Sequence, residues 1–93
     1  MTVANIMTMP KIQFFGNDGN PLNGGKVYTY RTGTLINKAT YTSANMGTAN
    51  SNPVILDAYG RASIWLDTSD GYFYTVKLTD SSDNLIWTVN DVS

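Results

Sequence analysis

Apolar and polar positions alternate in short runs along this chain, and no window of a dozen residues places apolar side chains at i, i+3, i+4 and i+7. Long helices are therefore not expected. β-Branched and aromatic residues gather in seven short stretches: Lys11 to Phe15, Lys26 to Arg31, Lys38 to Thr42, Val54 to Leu56, Arg61 to Leu66, Tyr72 to Leu78 and Leu85 to Val89. This pattern predicts an all-β fold, a small antiparallel β-sandwich or meander of about seven short strands.

The punctuation between the runs has a mechanism. Asn17-Asp18-Gly19, Ser69-Asp70-Gly71 and Ser82-Asp83-Asn84 each put a side chain that can cap its own turn before a residue tolerant of positive φ. They are expected to be hairpin turns, with Asp57-Ala58-Tyr59-Gly60 as a fourth. The similar segments Asp67 to Gly71 and Asp80 to Asn84 both precede an aromatic stretch, so the last third is expected to be an antiparallel meander. Ser43 to Asn52, ten residues with only Met46 to bury, is expected to be a long polar surface loop.

Period-two alternation separates the strand faces. Ala62, Ile64 and Leu66 share one face, opposite Arg61, Ser63 and Trp65. Tyr72, Tyr74, Val76 and Leu78 fall opposite Phe73, Thr75 and Lys77, and Leu85, Trp87 and Val89 oppose Ile86, Thr88 and Asn90. Each strand thus has one core face and one polar face that carries a single large apolar residue. Trp65, Phe73 and Ile86, with Phe15 beside Lys11 and Gln13, form the off-pattern set. They could lie under loops or in a second layer. The favoured expectation is a subunit or partner contact, because large apolar patches on a small chain mark interaction sites.

Composition sharpens this. Ninety-three residues with 42% apolar content fit one domain, expected over residues 10–93 with residues 1–9 as a flexible N-terminal arm. A chain this short buries only about 60–65% of its unfolded surface, which leaves a thin margin for stability. Cys and His are both absent, and all seven acidic residues are Asp. No disulfide framework, thiolate zinc site or histidine base is possible, and neither metal nor cofactor is expected.

The net charge is −1 and the six cations are scattered singly, so no basic stripe for nucleic acid is present. Apolar runs of three or four residues are far short of a bilayer span, and no membrane partner is expected. The first nine residues lack the features of a signal peptide, and no Asn-x-Ser/Thr triplet occurs.

Candidate chemistry is sparse. Asp67 with Asp70, or Asp80 with Asp83, could supply a glycosidase carboxylate pair. Both pairs lie in solvated turns, where capping the backbone is the ordinary role and nothing raises a carboxyl pKa. A calcium loop would need a distal Glu, and Gly24-Gly25 is not followed by a phosphate-cradling helix. No catalytic residue is assigned, and the chain is not expected to be an enzyme. Six Tyr and two Trp leave open a small carbohydrate-binding module stacking sugars on Tyr59, Trp65 or other surface aromatics.

The string from Gln13 through Gly16-Asn17-Asp18-Gly19-Asn20-Pro21-Leu22-Asn23-Gly24-Gly25-Lys26-Val27-Tyr28 to Tyr30 resembles the opening of a domain at the N-termini of bacteriophage tailspikes and tail fibres. Lys38 to Thr42, Asn50 to Ala62, Ile64-Trp65-Leu66, and Val76-Lys77-Leu78 through Ile86-Trp87 to Asp91-Val92 follow in the same order. That order is also similar to the head-binding domain of short-tailed phage tailspikes, and the resemblance spans about Pro10 to Val92. Two departures stand out. Asn37 occupies a place where such sequences often carry proline, and the chain stops near Val92, where a tailspike continues into its receptor-binding or depolymerase body.

The resemblance implies a virion anchor or adaptor that joins a fibre or spike to tail or portal proteins, without catalytic residues or cofactor. It implies a homo-oligomer, with a trimer favoured, found in the phage tail and soluble in the host cytoplasm before assembly. The segment Val3 to Met9 would be an arm that orders on docking. Phe15, Trp65, Phe73 and Ile86 would then be the interface residues.

Overall fold

The structure, a computed structural model, describes residues 5–6, 12–43 and 47–93. The all-β expectation holds: the described residues form eight strands and no helix. These are β1 (Asn5–Ile6), β2 (Ile12–Gln13), β3 (Lys26–Arg31), β4 (Val54–Ile55), β5 (Arg61–Ala62), β6 (Trp65–Leu66), β7 (Tyr74–Thr79) and β8 (Leu85–Val92). A four-stranded antiparallel sheet runs in the order β4-β3-β7-β8, and two short antiparallel ladders pair β1 with β6 and β2 with β5.

β3 and β7 are the centre: β3 alternates the buried Val27 and Thr29 with Lys26, Tyr28 and Tyr30, and β7 is buried at every position except Lys77. Their register sets Val27 opposite Leu78, Thr29 opposite Val76 and Arg31 opposite Tyr74. Val27, Tyr74, Val76 and Leu78 on that face are essentially inaccessible, and Ile12, Phe14, Leu22, Val54, Leu56, Ile64 and Leu66 pack with them in one core. Each such side chain contributes about 1.5–3 kcal/mol on burial. The short ladders and their loops therefore form a second layer over one face of the sheet, a sandwich-like arrangement.

The other face carries Lys26, Tyr28, Tyr30 and Lys77. There the Tyr28 and Tyr30 rings lie parallel with centroids 6.4 Å apart, and Lys77 Nζ sits 4.9 Å from the Tyr28 ring centre.

Gly60 joins the two layers. Its carbonyl accepts the Phe14 N–H at 2.8 Å, and its φ of 72° lies in the left-handed region. A Cβ there would fall 2.6 Å from both Leu22 N and Phe14 O, so backbone on two sides requires glycine.

Several sequence expectations are corrected. Lys38 to Thr42 is not a strand. Thr29 captures the start of this segment, its carbonyl accepting the Lys38 N–H at 3.1 Å and its hydroxyl donating to the Lys38 carbonyl at 2.7 Å, while Tyr41 makes isolated bridges to Ala49 and Trp65. Arg61 to Leu66 is interrupted because the Ser63 carbonyl accepts from Asn50 Nδ2 at 3.0 Å instead of a strand neighbour. Its faces nevertheless follow the expectation, with Ile64 and Leu66 buried and Arg61 outside.

The last third is not a continuous meander. β7 and β8 form a hairpin, but β6 belongs to another ladder. Between β6 and β7, Asp67 Oδ1 accepts the Ser69 N–H and Asp70 Oδ1 accepts the Tyr72 N–H, which diverts backbone donors from ladder pairing. Tyr72, expected on the core face, is consequently exposed ahead of β7.

The alternation in β8 is also broken. Leu78 pairs with Trp87 but Thr79 pairs with Leu85, so Ile86 is the extra residue of a bulge. Ile86 and Trp87 both pack against the core, Trp87 lying 6.1 Å from the Phe14 ring, while Leu85 and Val89 are exposed.

The loop Ser43 to Asn52 lies at the surface as expected, with no described residue of it buried, but it is pinned by hydrogen bonds. Residues 44–46, with Met46, lie outside the described residues, but Thr42 N–H donates to the Thr48 carbonyl at 3.0 Å. Asn50 Nδ2 donates to Thr40 Oγ1, the Tyr41 carbonyl and the Ser63 carbonyl. Of the expected N-terminal arm, Asn5 and Ile6 form β1 against Leu66 and Trp65, and residues 1–4 and 7–9 lie outside the described residues.

Candidate functional site

The four residues expected at an interface sit on four different segments. Phe15 is half exposed and bridges Pro21 across the turn at Asn17 and Asp18. Trp65 is partly buried in β6, its backbone exchanging two 2.9 Å hydrogen bonds with Tyr41. Phe73 is 48% exposed just before β7, and Ile86 packs partly buried at the β8 bulge. The ring contacts of the described residues join none of Phe15, Trp65 and Phe73 to another.

Phe73 instead belongs to an apolar patch that the sequence analysis did not single out. Where β3 ends beside the start of β7, Arg31 N–H donates to the Ile36 carbonyl at 2.8 Å and Thr32 N–H donates to the Phe73 carbonyl at 3.0 Å. Gly33 N–H donates to Thr75 Oγ1 at 2.9 Å. These bonds hold the 32–36 turn against the 72–73 segment, so Leu35, Ile36, Tyr72 and Phe73 share one end of the sheet. Leu35 is 87% exposed, and Ile36, Tyr72 and Phe73 are each roughly half exposed. The end is a built feature: Thr32 Oγ1 exchanges hydrogen bonds of 2.8 and 2.9 Å with Asp91, whose φ of 59° ends the regular part of β8. The signal in the sequence was Leu35-Ile36, two adjacent apolar residues inside a polar turn, where period-two alternation has nothing to say.

Charged groups are mostly neutralised locally. Arg31 lies 4.2 Å above the Tyr72 ring, Lys38 4.8 Å from Tyr74, and Arg61 5.5 Å from Tyr59. Lys26 pairs with Asp83 at 2.9 Å, and Tyr28 Oη donates to the same carboxylate. Lys38 is the deepest, only 7% exposed, with Nζ 2.6 Å from Asp70 Oδ2. Beside it the buried Tyr74 hydroxyl donates to the Ala39 carbonyl at 2.6 Å and accepts the Asp67 N–H at 2.9 Å. Burial pushes the Tyr74 hydroxyl up to about 12.

The carboxylate pairs have no acid poised for catalysis. The hydrogen bond from Lys38 holds Asp70 below the usual carboxylate value, and bonds from Ser69 do the same for Asp67. Asn84 lowers Asp80, and Tyr28 with Lys26 lowers Asp83. A general acid needs the opposite shift. No group of three or more metal-ligating side chains occurs among the described residues.

One open groove of about 460 Å³ lies between the 16–23 turn and the start of β8. It is lined by polar side chains including Asn17, Asp18, Asn23 and Asp80, with Leu85 and Ile86 at one wall. Asp18 and Asp80 are engaged in their own turns there, each accepting backbone N–H groups.

No protein-family model matches the chain, and no curated protein matches it.

Proposed function

We propose that this chain is a non-catalytic attachment domain of a bacteriophage tail fibre or tailspike, acting as a homo-oligomer, with a trimer favoured, that docks on tail or portal proteins. The observation that carries the assembly part is the apolar end formed by Leu35, Ile36, Tyr72 and Phe73. Nine large apolar side chains are exposed among the described residues, and four of them gather at this end, a cluster of the kind that marks an interaction site. The resemblance of the ordered sequence blocks supplies the class of assembly. The lowered carboxylates and locally paired cations agree with a structural role.

The paired variant Leu35→Ser with Phe73→Ser tests this. Sedimentation of the wild-type chain should give a mass that is a multiple of 10.2 kDa, and the variant should fall to the single-chain mass with unchanged β circular dichroism. A wild-type chain that sediments as a single subunit at every concentration contradicts the proposal.

The polar groove favours a second reading, a small saccharide-binding module, since amide and carboxylate side chains beside an aliphatic wall suit a polyol. That reading requires a saccharide-dependent change in tryptophan fluorescence, through Trp87 next in the chain to the groove residue Ile86, at low sugar concentration. The attachment reading requires none.

A further inference from the structure

We infer that Asn23 is a site of spontaneous deamidation, singled out by the fold from several dipeptides of similar intrinsic chemistry. Four described dipeptides close a succinimide ring most readily: the three in which glycine follows, Asn23-Gly24, Asp18-Gly19 and Asp70-Gly71, and the one in which serine follows asparagine, Asn50-Ser51. In that reaction the backbone nitrogen of the second residue attacks Cγ of the first. For Asn23 the Gly24 N–Cγ bond forms, the Cγ–Nδ2 bond breaks, and ammonia leaves with the proton from the Gly24 N–H. Water then opens the ring at either carbonyl, giving aspartate or isoaspartate.

Three of the four are restrained. Asn50 Nδ2 makes three hydrogen bonds of 3.0–3.1 Å, which hold its carboxamide away from its own backbone. Asp18 accepts the Asn20 N–H and Nδ2 at 3.0 and 3.2 Å, and Asp70 accepts the Tyr72 N–H and Lys38 Nζ at 3.0 and 2.6 Å, which hold each carboxylate in its own turn; an ionised carboxylate is in any case a poor electrophile. Their following amides are also engaged, Gly19 N–H with the Gly16 carbonyl and Gly71 N–H with the Thr68 carbonyl, both at 3.0 Å.

Asn23 has no side-chain restraint, and the amide that follows it is held only weakly. It is exposed at the groove, and its side chain makes no hydrogen bond to any described residue. The Gly24 N–H reaches the Asp57 carbonyl only at 3.4 Å, near the outer limit for such a bond. The turn is defined by the Gly25 N–H donating to the Leu22 carbonyl at 3.1 Å, with Gly24 at a φ of 68° and no side chain to block the approach.

Conversion places a new carboxylate in the groove that already holds Asp18 and Asp80. Its isoaspartyl form adds a backbone methylene between the core residue Leu22 and β3. The groove is thus a surface that becomes more acidic as the protein ages.

The test is peptide mass mapping of the full chain after incubation in mildly alkaline buffer, native and in urea, with enzymatic methylation to mark isoaspartate. In the native chain Asn23 should convert faster than Asn50, Asp18 or Asp70 by at least about an order of magnitude. In urea the lead over Asn50 should shrink. An Asn23→Gln chain should lose the dominant product. Native Asn23 remaining intact while the denatured chain converts would overturn the assignment, and so would native conversion at Asn50 or Asp70 that keeps pace with Asn23.

Discussion

Tyr74 does three things at once. Its ring fills the core, its face receives Lys38, and its hydroxyl ties the Ala39 carbonyl and the Asp67 N–H to β7. Replacing it by Phe leaves that carbonyl and N–H without their partner and should cost about 1–3 kcal/mol at neutral pH. The pH dependence has a definite sign. A hydroxyl raised from 10.0 to about 12 in the folded chain favours folding below pH 10, and that contribution is lost as pH rises through 12. Urea midpoints of wild type and Tyr74→Phe should therefore converge between pH 10 and 12, and a constant gap would show that the hydroxyl does not titrate with folding.

At the scale of elements, the edges of the four-stranded sheet are managed by side chains and bulges. β4 covers only Lys26 and Val27 of β3. Beyond it Asn52 takes the place of a strand, its Oδ1 accepting the Thr29 N–H at 3.1 Å and its Nδ2 donating to the Thr29 carbonyl at 2.8 Å. Asn52→Ala should leave the Thr29 N–H without its partner, the carbonyl keeping only the Lys38 N–H, and destabilise the chain by about 1–3 kcal/mol, whereas Ser51→Ala, whose hydroxyl serves only the Pro53 carbonyl, should change the thermal midpoint little. Equal effects of the two changes would remove Asn52 from the edge.

On the opposite edge, β8 is bulged at Ile86 and near Asn90, devices that shorten its regular edge. These details mark where the sequence was readable. β3 was legible from end to end because its six residues alternate without interruption, and the Asp-centred turns were legible because each carries its own capping side chain. Lys38 to Thr42 and the faces of β8 were not legible. The first is held by Thr29 and Asp70 from distant parts of the chain, and a bulge inverts a period-two pattern without leaving a mark in it. The exposed apolar end was half legible. Phe73 stood out by alternation, but its neighbours Leu35 and Ile36 came from a turn, and Ile86 turned inward at the bulge.

The whole molecule is elongated, about 40 × 25 × 19 Å, with its exposed apolar end where β3, β7 and β8 meet the 32–36 turn. The described cations lie over tyrosines or against aspartates, and most of the described carboxylates cap turns, so the surface offers packing area before it offers reactive groups. A chain of this size that leaves nine described large apolar side chains exposed would gain stability if neighbours covered them. The most direct test is hydrogen exchange of the wild-type chain at low and high concentration, read by peptide. Amides of residues 31–37 and 72–73 should slow on concentration while those of the solvated 80–84 turn do not change. Exchange at 31–37 and 72–73 that is independent of concentration would contradict an interface at this end.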